Sequence, residues 1–242
     1  MKSYLKLLIW VTIFSIAMGY LESAVVVYLR AIMYPDGFHF PLVPINHQLA
    51  ITEVFREAAT LVMLLGIGFL AGKTFAGRFA WFIYSFAIWD IFYYVFLKLL
   101  IGWPETFMTW DILFLIPVTW VGPVISPVIA SFTMIALALI IIHFDTVSPV
   151  KIKSTDWLFL IAGSAAVIIS FTWDYSSFIL NHYSISELWG INGKKAFYDL
   201  SLQYIPRKFN WLIFWIGEGI IIAGIVSLFT RLRRLSTDKK VY

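Results

Sequence analysis

The chain has no cysteine, few charges and no polar stretch long enough to fold by itself. Without cysteine there is no disulfide, no thiolate-bound metal and no cysteine nucleophile. Charged residues make up 13% of the sequence, about half of what a soluble domain carries. HExxH, GxSxG, a Walker loop and paired Asp-rich prenyl-diphosphate motifs are all missing, so no enzyme signature is legible. No Glu-x-x-His pattern suggests a di-iron centre, and no two histidines sit at matching depth for a haem. Lys and Arg lie at segment ends and form no basic stripe with stacking aromatics, which excludes nucleic acid as a partner. A convincing internal repeat is also lacking. Trp-Asp recurs at 89–90, 110–111 and 173–174 with unlike flanks, which argues against an inverted-repeat transporter.

What the chain does have is apolar residues, 61% of the total. A helix that spans a bilayer needs roughly 20 of them in a row. Six continuous runs qualify, at about 5–30, 49–72, 79–101, 117–143, 157–181 and 209–230. They do not alternate in the manner of barrel strands. The expected fold is all-α, a polytopic membrane bundle of six transmembrane helices forming one domain over 1–242. The first run follows Lys2 and Lys6 and holds small residues near Ala17 and Gly19, as a signal peptide would. It continues past Glu22 to Arg30, too far for a signal h-region, and reads as a retained helix.

Charge placement sets the expected orientation. With the N-terminus inside, eleven Lys and Arg fall on the inner side and six on the outer: Arg30, Lys98, Lys194, Lys195, Arg207 and Lys208. That bias predicts cytoplasmic N- and C-termini in the plasma membrane. The tail RLRRLSTDKK reads as a solvated basic end beside anionic lipid. In the outer loop 182–208, Ser184 and Glu187 have capping-box spacing and predict a short surface helix, followed by a turn at GING.

The carboxylates are the informative exception to the apolar pattern. Glu22, Glu53, Glu57, Asp90, Asp174 and Glu218 interrupt the runs, with Arg56 beside the second and third. An acid inside a bilayer costs several kcal/mol, roughly 3 at the least, so one per helix points to use. At 1.5 Å per residue, Glu57, Asp90 and Glu218 fall about 10–12 Å below the outer boundary. Glu22, Glu53 and Asp174 are shallower. Glu53 and Glu57 share a helix face, and Arg56 is placed to pair with Glu53. Arg30 and Lys98 lie near the boundary, where they can snorkel. Several acids against one arginine require protons, a bound cation or water.

The fourth run carries Pro117, Pro123 and Pro127 in its outer half, which predicts a broken helix that frees the carbonyls of Thr119 and Pro123. Broken backbone at membrane depth belongs beside a cavity. Thr119 and this break form the expected fourth wall of an outward-facing pocket. Residues 111–117 read either as the start of this helix or as a surface segment. The second reading puts Asp111 in water and out of the set. The aromatics of the third run surround the helix and read first as lipid contact and interface anchoring. Alternatively they cradle a flat hydrophobic ligand such as a quinone, carotenoid or lipid chain, with Tyr93 and Tyr94 offering hydroxyls beside Asp90. For a metal, the candidates are Glu53, Glu57, His47 and His182, and oxygen ligands would favour a hard cation.

Three functions fit these residues. The first is a pocket that binds or transports a cation, a proton or a small cationic solute. The second is an intramembrane enzyme that uses carboxylate acid–base chemistry on a lipid or isoprenoid. The third is a structural or assembly subunit of a membrane complex, or a homo-oligomer, in which the charges pair across helices.

Overall fold

The computed structural model describes residues 2–184 and 200–238. The expected surface helix at Ser184–Glu187 and the GING turn lie largely or wholly outside these residues. Six long helices stand among them: α1 (Lys2–Met33), α2 (His47–Ala71), α3 (Phe75–Ile101), α4 (Ile125–Asp145), α5 (Ser154–Leu180) and α6 (Trp211–Asp238). All six are long and apolar enough to cross a membrane, the composition of an integral membrane protein. The starts of α2 and α3 are chemically marked. The Asn46 side chain accepts from the Leu49 N–H at 2.7 Å, and the Thr74 hydroxyl accepts from the Gly77 N–H at 2.8 Å. Both satisfy donors that a helix leaves open in its first turn.

The fourth run departs from expectation. Residues 110–123 form no helix but an antiparallel hairpin, β1 (Trp110–Phe114) and β2 (Trp120–Pro123), with Asp111 opposite Gly122. Pro117 therefore lies in the hairpin turn, Pro123 ends β2, and Pro127 stands in the first turn of α4, where a missing N–H is harmless. The carbonyl of Pro123 accepts instead from the Ser126 hydroxyl at 2.6 Å. Helix α4 begins at Ile125 rather than 117 because the hairpin already pairs the upstream backbone. Its N–H groups at Val124 and Ile125 continue that pairing to Thr109 and Phe107.

Helix α3 is the hub, packing on α1, α2 and α4, while α5 pairs with α6. Trp81, Tyr84, Trp89 and Tyr94 on α3 are buried inside the bundle. This corrects the reading of α3's aromatics as mainly lipid-facing: a central helix has neighbours on most sides. The Tyr84 hydroxyl meets the Thr12 hydroxyl of α1 at 2.8 Å. Ser23 on α1 donates to the Tyr93 carbonyl of α3 at 2.9 Å.

The α5–α6 contact depends on glycine. A Cβ on Gly217 would lie 2.8 Å from the Gly163 carbonyl and 2.9 Å from the Val167 nitrogen. Backbone atoms cannot move aside as a flexible side chain would, so the close approach at this point requires that position 217 have no side chain. Gly217→Ala should destabilise the protein by about 1–3 kcal/mol. Gly219→Ala, two residues on, meets open space and should be neutral or slightly stabilising. Thermal unfolding of both variants in detergent checks this, and equal midpoints would refute it.

At the end of the bundle that holds the α2–α3 and α4–α5 turns, Asp145 accepts from the Thr74 hydroxyl and the Val150 N–H, both at 2.9 Å. Asp156 accepts from the Lys153 N–H and pairs with Arg231. These carboxylates fasten turns. The hairpin closes the opposite end, where Trp120 stacks on Phe171 of α5 at 5.9 Å.

Candidate functional site

Three helices and the hairpin enclose a small polar chamber near the hairpin end. Arg56 of α2 is its only cationic lining residue. Its Nε and Nη2 donate to Glu53 Oε2 at 2.9 and 2.8 Å, and its Nη1 pairs with Glu22 Oε1 of α1. Glu22 also accepts from the Thr60 hydroxyl at 3.2 Å. Helices α1 and α2 pack far less on each other than on α3, so this ion pair is a direct tie between them. The i,i+3 spacing of Glu53 and Arg56 produces the local half of the cluster.

Glu57, also on α2, faces the hairpin. Its Oε2 accepts from the Leu115 N–H at 2.9 Å. Thr119 does not line the chamber, so the expected fourth wall exists in another form. It is a backbone N–H at the end of β1, not carbonyls freed by proline. Asp90 of α3 accepts from the Ser131 hydroxyl of α4 at 2.8 Å. Glu22, Arg56, Glu57, Thr60, Asp90, Tyr93 and Tyr94 line a volume of about 50 Å³, little more than one or two waters at roughly 30 Å³ each.

Glu218 is absent from this chamber. It lies across a partition in a second one of about 310 Å³ between α3, α4, α5, α6 and the hairpin. Trp89, Asp90, Leu113 and Phe114 border both chambers. The single pocket expected from depth arithmetic is thus two, because equal depth does not mean equal azimuth around the bundle. The second chamber is largely apolar, with Phe86, Met134, Val167 and Phe171 among its walls. Glu218 Oε2 accepts from the Thr133 hydroxyl at 2.7 Å.

Two residues set aside by sequence reasoning form a third polar cluster. Asp111, expected in water on one reading, is 2% exposed. Its Oδ1 accepts from Arg30 Nη2 and its Oδ2 from the Tyr94 hydroxyl, both at 3.3 Å. Arg30 does not snorkel. Its guanidinium lies 3.7 Å from the Trp103 ring centroid and 4.4 Å from that of Phe38, a desolvated cation–π arrangement. Lys98 turns back to the carbonyls of Gly102 and Pro104 at 2.9 and 2.8 Å, closing the end of α3.

The remaining sequence candidates lie apart. Asp174 receives the Tyr204 hydroxyl at 2.7 Å and the N–H groups of Arg207 and Lys208. It anchors the segment leading into α6 and borders neither chamber. Burial raises the Tyr204 phenol above its usual range, and its hydrogen bond to Asp174 raises it further. His47 is exposed at the start of α2, and His182 Nδ1 contacts the Phe178 carbonyl at 2.9 Å. Among the described residues no three His, Asp or Glu side chains are grouped to hold a metal. Compared with known protein families, curated proteins and solved structures, the chain matches none of them.

Proposed function

We propose that this chain is a multi-pass protein of the plasma membrane that binds or transports a cation, and that its polar chamber exchanges a proton. In this reading both termini are cytoplasmic and the hairpin end faces outward, as the distribution of Lys and Arg favours. The supporting observation is the charge imbalance around Arg56. Glu22 and Glu53 both bear on the one guanidinium, while Glu57 and Asp90 have only neutral donors, a backbone N–H and a hydroxyl. The chamber is too small for an organic solute, and among the described residues no three His, Asp or Glu side chains are grouped to hold a metal ion. A proton needs neither space nor a ligand shell.

The test is infrared difference spectroscopy of the purified protein in lipid, titrated from pH 5 to 9. Wild type should show a carboxylic C=O band that changes across this range. Glu57→Gln and Asp90→Asn should each remove part of it, and proton flux in proteoliposomes should fall in the same variants. A band and a flux untouched by either substitution would sink the proposal. An enzyme acting on a lipid or isoprenoid is the second reading, favoured by the larger apolar chamber beside Asp90. Unchanged membrane lipids in a deletion strain would count against it.

A further inference from the structure

We infer that the second chamber is a binding site for a small hydrophobic ammonium ion held by Glu218. The inference deepens the cation-binding reading, but it rests on different residues from those proposed to exchange the proton. Glu218 is 1% exposed. Thr133 supplies a donor to Oε2, whereas Oε1 is buried with no hydrogen-bond partner among the described residues. No lysine, arginine or histidine lines this chamber, so the protein itself offers no counter-charge there. A carboxylate oxygen left in an apolar cavity is costly unless it receives a donor, and best served by a charged one.

The walls narrow the class. Phe79, Phe86, Trp89, Phe114, Trp120 and Phe171 surround the space, and aromatic surfaces accommodate an alkylammonium far better than a hydrated inorganic ion. A metal ion would find two carboxylates, Asp90 and Glu218, three hydroxyls and mostly carbon. The free Oε1 is an acceptor, so the ligand's nitrogen carries a hydrogen. The indole N–H groups of Trp89 and Trp120, two of these lining residues, are likewise buried without acceptors among the described residues. About 310 Å³ holds roughly ten water-sized groups. The site suits a compact amine, not an entire lipid.

Position is also controlled. Glu218 follows Gly217, whose backbone packs directly against Gly163, so the carboxylate is presented from a close contact of the α5–α6 pair. The acid is therefore presented from fixed backbone, as a pre-organised ligand group should be.

The probe is 4-phenylbutylamine, with 4-phenylbutanol as its neutral counterpart, measured by equilibrium dialysis against the full chain in dodecyl maltoside micelles. Wild type should bind the amine saturably and the alcohol at least tenfold more weakly. Glu218→Gln should weaken amine binding at least tenfold and leave the alcohol unchanged. Ala130→Phe, which fills the chamber without touching the charge, should abolish amine binding and guards against a misfolded Glu218 variant. The infrared carboxyl signal that depends on Glu57 should persist in both variants, separating this site from the polar chamber. No saturable binding by wild type would overturn the inference. So would equal binding of amine and alcohol, or unchanged amine binding in Ala130→Phe.

Discussion

Arg56→Met should lower the thermal midpoint of the protein by about 10 °C. The guanidinium holds Glu22 from one helix and Glu53 from its own, and these acids are only 11% and 14% exposed. Removing the cation strands two carboxylates near one another in a largely dry place. Breaking a buried pair by deleting one partner costs about 3–5 kcal/mol, and a chain of this length loses roughly 2–4 °C per kcal/mol. The partial exposure argues for the lower end of that cost. The triple variant Arg56→Met with Glu22→Gln and Glu53→Gln should recover most of the loss, since it removes the charges together. Thermal unfolding in one detergent decides it. A single variant as stable as wild type, or a triple variant worse than the single one, would show that the cluster does not hold α1 to α2.

Asp111→Ala should loosen the hairpin while leaving the α5–α6 pair intact. Asp111 is the only carboxylate within hydrogen-bonding reach of Arg30 among the described residues, and Arg30 is 9% exposed beneath two aromatic rings. Losing the acid leaves a guanidinium buried without its counter-charge and removes the Tyr94 contact as well. The cost is again about 3 kcal/mol, concentrated on one end of the bundle. Hydrogen exchange should speed up over 110–123, with Leu115 released from Glu57, and stay slow in α5 and α6. Asp111→Asn still accepts both hydrogen bonds and should be milder. Uniform acceleration through all helices would contradict this assignment.

The six helices were legible because a spanning segment needs a long apolar run, and few other structures produce one. The start of α4 was not. Residues 110–123 read WDILFLIPVTWVGP, as apolar as a helix of the same length, and their prolines suggested a kink. A hairpin packed inside a bundle satisfies its backbone across two strands, so it needs no polar alternation to announce it. Asp111 therefore read either as the start of a helix or as a surface residue in water, and the hairpin puts it in neither place. Arg30 was misplaced for a related reason. Its cover comes from Phe38 and Trp103, in loops that hydropathy cannot position. The Glu53–Arg56 contact followed from spacing alone, since i,i+3 residues are neighbours on any helix. Glu22 joined them through a tertiary contact that no spacing encodes. Depth arithmetic placed Glu218 at a level but said nothing of the direction it faces, and direction is what separates it from Glu57.

The two chambers also differ in when the growing chain can make them. Every residue around the Arg56 chamber lies between Glu22 and Phe114, within the first half of the polypeptide. The chamber of Glu218 draws on residues from Phe79 through Ile221 and does not exist until α6 arrives. Helix α3 contributes to both. During synthesis the ion-paired centre can be complete while the α5–α6 pair is still unmade, and the last two helices, drawn together at Gly163 and Gly217, then roof over what had been an open flank of α3 and α4.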